Sequence, residues 1–287
     1  MSIQASSVVP LRFDAVAPLR ACVSDWKASG DRVVLVPTMG ALHQGHLSLV
    51  DRARELGRRV VVSIFVNPTQ FGPSEDFSRY PRDTETDLAL LAEIGVDAAY
   101  QPSVETMYPK DFSTSLTVAG ITDGLCGAFR PGHFSGVATV VTKLVNQVQP
   151  DVALFGEKDF QQLQVIRRAV RDLDIPVEIG GVPTLREEDG LALSSRNRYL
   201  DAEERKVAPA LHRELVRIAE GLRAGGAAST LVAASTDRLI EAGFGTIQYL
   251  SVCDAETLAP VEHATGPTRV LVAAYLGSTR LIDNVAV

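Results

Sequence analysis

The sequence predicts an α/β fold: a doubly wound parallel sheet with helices on both faces, followed by a smaller C-terminal α+β domain. Three observations predict it. Up to about residue 185, short runs rich in Val, Ile and Leu alternate with longer segments of helical period, which is the pattern of strand–helix–strand units. The runs are continuous apolar blocks, as expected of strands buried within a sheet. Beyond residue 185 the order changes to two long helical segments and then a group of strands.

Taken in order, "RVVLVP" (32–37) is the first strand of this reading. "HLSLVDRARELG" (46–57) is a helix with Leu47, Leu49, Val50 and Ala53 near one face. "RRVVVSIFV" (58–66) is the next strand, and a polar loop with Pro68, Gly72, Pro73 and Pro81 follows it. "TETDLALLAEIG" (84–95) is a helix with Thr84 as N-cap, and "VDAAYQP" (96–102) a strand. "GVATVVTKLVNQVQ" (136–149) is a helix despite its β-branched residues, because it leads into the strand "DVALFG" (151–156). "DFQQLQVIRRAVRDLD" (159–174) is helical and "PVEIGGVPTL" (176–185) extended. In the C-terminal part, helices are expected over 201–225 and 229–243, and strands over 246–254 and 268–276, before "TRLIDNVAV". The expected domains are residues 1–185 and 186–287, the second about 100 residues long and in the usual range. The joint "VPTLREEDGLALSSRNRYL" is rich in polar residues.

The chain has 287 residues, 46% hydrophobic and 22% charged, with a mean hydropathy of +0.09. That is enough apolar material for a core without disulfides or a structural metal. The formal charge is −7, and no long Lys/Arg run is present, which argues against nucleic acid as the main partner. Cys22, Cys126 and Cys253 lie far apart and form no CxxC pair, so reduced structural thiols are expected. The opening "MSIQASSVVPLRFD" has no charged segment followed by an apolar one, and no run approaches the ~20 residues of a membrane span. A cytoplasmic protein without a membrane partner is expected.

Chemistry-bearing motifs fall at strand ends, where sheets of this kind bind ligands near the switch in strand order. "PTMGALHQGH" (37–46) follows the first strand and opens a helix. His43 and His46 lack the third ligand and the spacing of a zinc site. A helix N-terminus attracts anions, and Gly40 and Gly45 let a nucleotide approach the backbone. Spacing alone leaves nucleotide binding and a structural role nearly balanced. "FGEKDFQQL" (155–163) repeats the geometry after a later strand. Lys158 there is either a solvated turn residue or a point charge for a triphosphate, and Asp159 a cap or a ribose contact. In "LALSSRN" (191–197), Ser194, Ser195 and Arg196 are either turn residues or a donor cluster for β- and γ-phosphates. Gln70 and Gln162 both donate and accept, which suits a substrate carrying hydroxyls and a carboxylate, although isolated glutamines are commonly surface residues. His133 and Arg130 in "RPGHFSGV" are structural or border the pocket. No GxGxxG follows the first strand, and GxxxxGK[ST] and GxSxG are missing, which sets aside dinucleotide dehydrogenases, P-loop kinases and serine hydrolases.

In combination, "PTMGALHQGH", "VSIFVNPTQF", "YPRD", "RPGHFSGVATVV", "LFGEKDFQQL" and "DGLALSSRNRYL" resemble, in order and spacing, the pantothenate synthetase or pantoate–β-alanine ligase family of the HxGH nucleotidyltransferase superfamily. The resemblance runs from about residue 32 to 200, and the C-terminal layout agrees with it. It implies a Rossmann-like domain, a smaller C-terminal lid, a homodimer, and an enzyme that joins (R)-pantoate to β-alanine. It implies ATP as a substrate with Mg²⁺, a pantoyl adenylate, and release of AMP and pyrophosphate. Position by position, it implies that Met39, Gly40, Ala41, Leu42, His43, Gln44, Gly45 and His46 line the ATP site. Gly156, Glu157, Lys158, Asp159, Leu185, Leu193, Ser194, Ser195 and Arg196 are implied there too. Gln70 and Gln162 are implied to hold pantoate. His46, His43, Lys158, Ser195 and Arg196 would carry the catalysis; no metal ligand is assigned. Leu193 stands where methionine is common and Leu185 where valine is common, and both changes stay apolar. Two other functions fit parts of the pattern: a nucleotidyltransferase that keeps the nucleotide on its product, and a non-catalytic ATP-binding module.

Overall fold

A computed structural model describes residues 9–73 and 75–287. Most of the opening segment read above for a leader lies outside the described residues. The chain divides into two compact units. The first comprises Met1–Val118, Pro131–Glu157 and Val165–Val182; the second comprises Ala119–Arg130, Lys158–Gln164 and Pro183–Val287.

The first unit contains six parallel strands: β1 (Leu11–Phe13), β2 (Val33–Thr38), β3 (Arg59–Ile64), β4 (Ala98–Tyr100), β5 (Val152–Gly156) and β6 (Glu178–Val182). Their order in the sheet is β1-β4-β3-β2-β5-β6. The expected parallel α/β sheet is therefore present. From β2 the chain winds outward through β3 to β4, then returns to lay β5 on the other side of β2, with Val34 opposite Val152. The switch point thus lies beyond Thr38 and Gly156, where a doubly wound sheet opens a crevice. Residues 33–36 of β2 are all buried, because a central parallel strand is covered on both faces.

The helices of this unit are α1 (Val16–Ala28), α2 (Gln44–Leu56), α3 (Thr84–Glu93), the single turn α4 (Val104–Met107), α6 (His133–Val148) and most of α7 (Phe160–Asp172); the turn α5 (Cys126–Phe129) belongs to the second unit. Leu47, Leu49, Val50 and Ala53 of α2 are buried as their spacing predicts. Leu49, Val50 and Ala53 join Val34, Val60 and Leu91 in one core cluster. Four elements escaped the sequence reading: β1 is only three residues long and largely exposed, α1 precedes the first apolar run, and α4 and α5 are single turns of four residues. One expectation is corrected. Asp83, not Thr84, is the N-cap of α3, its carboxylate accepting from Thr86 N–H and its Oγ1. A carboxylate outcompetes the hydroxyl one residue later because it meets both donors and favours the positive end of the helix.

The second unit is built on α8 (Ala202–Val207), α9 (Ala210–Arg223), α10 (Ala228–Glu241) and an antiparallel sheet of β7 (Ile247–Asp254), β8 (Thr268–Leu276) and β9 (Thr279–Ala286), in that order. The segment 201–225, expected as one helix, is two, because Pro209 has no N–H to continue the ladder. On one face of the sheet, Val270, Val272, Ala274 and Leu281 pack with Leu211, Leu215 and Ile218 of α9 and Leu239 of α10. The other face is covered by the two segments this unit takes from earlier in the chain. Arg280 donates to Cys126 Sγ at 3.2 Å, Cys126 Sγ lies 3.0 Å from Tyr249 OH, and the Arg269 guanidinium lies 4.1 Å from the Phe160 ring centroid. Gln161 ties the covering segments together: its Oε1 accepts from Cys126 N–H, and its Nε2 donates to the carbonyls of Ile121 and Gly124.

Asp283 on β9 is buried and forms a two-point ion pair with Arg186 at 2.7 and 2.9 Å. Burial raises the Asp283 carboxyl, but His212, Arg186 and the Asn284 N–H pull it the other way and prevail, holding it below the usual carboxylate range. A depressed carboxyl contributes stability above its unfolded pKa of about 3.9 and loses it as pH falls through the folded value. Asp283→Asn should therefore destabilise the protein by about 3 kcal/mol at pH 7, the low end for a broken buried pair since Arg186 keeps some exposure. In thermal melts across pH, the gap between variant and parent should shrink below about pH 4.

Candidate active site

The first unit places the paired-histidine segment just past β2. The chain turns through Gly40 (φ +78°) and Ala41 (φ +51°), two consecutive left-handed residues. A Cβ at Gly40 would lie 2.8 Å from Asp87 Oδ2, so glycine is needed for space as well as for φ. Asp87, on α3 and 2% exposed, accepts from Ala41 N–H at 2.9 Å and Leu42 N–H at 2.8 Å. Burial pushes its carboxyl up, against the two backbone bonds that favour the charge. Thr38 Oγ1 accepts from Gly40 N–H and donates to the Ser63 carbonyl.

His43 is the N-cap of α2, and the two histidines cap each other's turn. Nδ1 of His43 accepts from Gly45 N–H at 3.1 Å, and Nδ1 of His46 accepts from His43 N–H at 3.3 Å. The rings lie 4.1 Å apart, centroid to centroid. Since each Nδ1 accepts, each neutral ring carries its proton on Nε2. Both imidazoles are thereby set as Nε2–H donors at a helix N-terminus.

Gln70 is buried in a single 3₁₀ turn, Pro68–Gln70. Its Nε2 contacts Met39 Sδ at 3.0 Å, and its Oε1 accepts from Asn67 Nδ2 at 3.1 Å. Asn67 also donates to the Gly136 carbonyl and accepts from Tyr108 OH at 2.7 Å. His133 Nδ1–H donates to the Gln70 carbonyl at 2.8 Å. At Gly136 a Cβ would fall 2.4 Å from the Thr69 carbonyl oxygen, so α6 approaches this turn as closely as backbone allows. Gly156 ends β5, and Glu157 opens the short turn that follows it.

The second unit holds the remaining expected residues. Lys158 and Asp159 lie in the 3₁₀ turn Glu157–Asp159, with Lys158 half-buried and Asp159 exposed. Gln162 lies half-buried in the first turns of α7. Leu185 and Leu193 are adjacent: Leu193 N–H donates to the Leu185 carbonyl at 3.0 Å, beside the antiparallel bridge of Arg186 and Ala192. Ser194 caps the 3₁₀ turn Ser195–Tyr199, its Oγ accepting from Arg196 N–H, and Asn197 Nδ2 donates to the Ala192 carbonyl. Arg205 reaches Asp189 and Glu187 and braces the same hairpin from α8.

Among the described residues, no group of three or more His, Cys, Asp or Glu side chains could hold a metal ion. Sequence reasoning missed Asp87, Asn67 and the bracing residues Asp283 and Asn284. Each sits in an ordinary helix, loop or strand, and only the fold brings it to its partner. Asp87→Ala leaves the buried Ala41 N–H and the half-buried Leu42 N–H without an acceptor, at about 1–3 kcal/mol for the buried one and less for the other. The variant should melt earlier and lose turnover with ATP, measured by pyrophosphate release; unchanged turnover would mean that the turn holds without Asp87.

Comparison with known proteins identifies the family. The family model described as pantoate-beta-alanine ligase matches residues 12–286. The chain is 60% identical over 273 residues to the pantothenate synthetase of Paramagnetospirillum magneticum, covering 95% of this chain and 96% of that protein. It is 56% identical over 274 residues to that of Rhodospirillum rubrum, covering 95% and 97%. The crystal structure of pantothenate synthetase from Thermus thermophilus is 51% identical, with a TM-score of 0.90 over 96% of this chain and 98% of that one. The pantoate-beta-alanine ligase of Francisella tularensis, complexed with beta-gamma ATP and beta-alanine, is 33% identical, with a TM-score of 0.80 over 96% and 97%. The chain belongs to the pantoate-beta-alanine ligase family and joins pantoate to β-alanine with ATP.

Proposed function

We propose that the ligation runs through a pantoyl adenylate and that the paired histidines serve its phosphates. The observation that carries this reading is the reciprocal cap of α2, which sets the proton of both rings on Nε2. In the first step a pantoate carboxylate oxygen attacks the α-phosphorus. A new P–O bond forms, the bond to the β-phosphate oxygen breaks, and pyrophosphate leaves. A carboxylate is already ionised at neutral pH, so the step needs positioning and charge stabilisation rather than a base. The Nε2–H groups of His43 and His46 supply donors as charge builds on the phosphate oxygens, while the turn Met39–Gly45, its amides held by side chains, shapes the wall of the nucleotide site. Lys158 and Arg196 supply cations, and Ser194 and Ser195 hydroxyl donors. Gly156, Glu157, Asp159, Leu185 and Leu193 complete the nucleotide contacts, the two leucines giving adjacent apolar surface.

Gln70 and Gln162 hold pantoate, and the amide of Gln70 is already oriented by Asn67 and Met39. In the second step the neutral amine of β-alanine attacks the acyl carbon. An amide bond forms, the acyl–phosphate bond breaks, AMP leaves and the nitrogen gives up a proton. Mg²⁺ would accompany ATP and offset charge on its phosphates; no protein ligand is assigned to it, as suits a hard cation that keeps much of its water. Among the described residues no helix is long and apolar enough to cross a membrane. The site of action is the cytoplasm, where ATP is supplied. The working form is a homodimer, and light scattering should give about twice the 30.8 kDa chain mass.

Omitting each substrate in turn tests the pathway. AMP should accumulate only with both pantoate and β-alanine, while pantoate alone should support exchange of pyrophosphate into ATP. Pyrophosphate release without AMP would instead mean nucleotidyl transfer, and ATP binding without turnover a binding module. His46→Ala and Lys158→Ala should each lower kcat by about 10²-fold or more, the range for lost transition-state donors. An unchanged kcat would remove that residue from the chemistry.

A further inference from the structure

Asp283 and Asn284 are consecutive residues of β9, and consecutive residues of a strand face opposite sides of its sheet. Asp283 faces the helix-covered side, where it holds Arg186; the Arg186 guanidinium also donates to the carbonyls of Gly190 and Asn284. Asn284 faces the other side. It pairs with Leu271 across β8, which makes Arg269 its diagonal neighbour. Asn284 is 3% exposed, its Nδ2 donates to the Lys158 carbonyl at 2.9 Å, and its Oδ1 accepts from Arg269 Nε at 2.6 Å. Arginine has no acceptor, so the Arg269 bond fixes which end of the Asn284 amide is oxygen and leaves its N–H₂ toward Lys158. Arg269 in turn lies against the Phe160 ring, two residues beyond Lys158.

Lys158 needs such an anchor. It stands in a three-residue 3₁₀ turn between a strand and a helix, where few backbone bonds fix a peptide plane. A lysine on a four-carbon stem has many rotamers, so its reach is set first by where its Cα and carbonyl are held. We propose that Asn284 is a positioning residue for Lys158: it clamps the lysine's carbonyl and so sets where the ammonium is delivered. The proposal rests on the reading of Lys158 as a phosphate-binding cation. Asp283, its neighbour, holds the hairpin that leads to Ser194–Arg196, so one dipeptide on β9 anchors the two segments whose cations, Lys158 and Arg196, are read as serving phosphate.

The test is a double-mutant cycle on the full chain: Lys158→Ala, Asn284→Ala and the pair, each measured for kcat of ligation below its melting temperature. Asn284→Ala should lower kcat about 10-fold or more, the scale of a misplaced group. In the Lys158→Ala background the same substitution should change kcat less than about 2-fold, because the group it aims is gone. Equal loss in both backgrounds, or no loss in a folded Asn284→Ala, overturns the proposal. If Lys158→Ala alone leaves kcat unchanged, the role of Lys158 fails and that of Asn284 with it; a low Lys158→Ala kcat with additive losses refutes Asn284 alone. Should Asn284→Ala not fold, the isosteric Asn284→Asp carries the same comparison. It keeps an acceptor for Arg269 but sets an oxygen against the Lys158 carbonyl.

Discussion

Backbone amides that belong to no ladder govern the first unit. Between Gly40 and Gly45 the chain has left β2 and has only begun α2, so its N–H groups need acceptors from outside any regular pattern. Side chains supply them: Thr38 for Gly40, Asp87 for Ala41 and Leu42, and the two imidazoles for His43 and Gly45. The histidine pair thus has a structural role beside the phosphate binding proposed for it. The same Nδ1 atoms that close the turn dictate where the ring protons lie, so structure and chemistry are settled by one set of bonds. A substitution at either histidine therefore removes a cap and a donor together.

The second unit solves a comparable problem from the opposite direction. Its three strands have one face covered by α9 and α10, and the other bears Arg269, Arg280 and Asn284. Apolar packing alone would leave those polar groups without partners. It is closed by segments rich in polar contacts, through Cys126, Gln161 and the Lys158 carbonyl. The polar face is thus not surplus surface; it fixes the turn that carries Lys158.

How much of this was legible in the sequence follows from how each signal arises. β2, β3 and β5 were readable because a strand buried on both faces must be apolar throughout. β1 was not, since three residues at the sheet edge need no such pattern. The helix break at Pro209 was written in the sequence, but the apolar period of 201–225 runs across it and hides it. The strand-end motifs stood out because strand, glycine turn and helix meet there in a few residues. Their supports did not. Asp87 reads as one more polar position of an amphipathic helix, and Asn284 as one more of a strand, until the fold brings Ala41 to the first and Lys158 to the second.

The covering segments of the second unit also bear on how this chain acquires its structure. Cys126 meets Arg280 across a separation of 154 residues, and Lys158 meets Asn284 across 126. Such contacts demand large loop closures before they return any stabilisation, and contacts of this kind slow folding. Residues 119–130 and 158–164 cannot be fixed until the strands they cover are in place. Until β9 docks, the turn that carries Lys158 lacks the amide that holds its carbonyl. Completion of the loop that carries Lys158 is thus tied to a long-range closure, and a partly folded chain holds that loop without its anchor on β9.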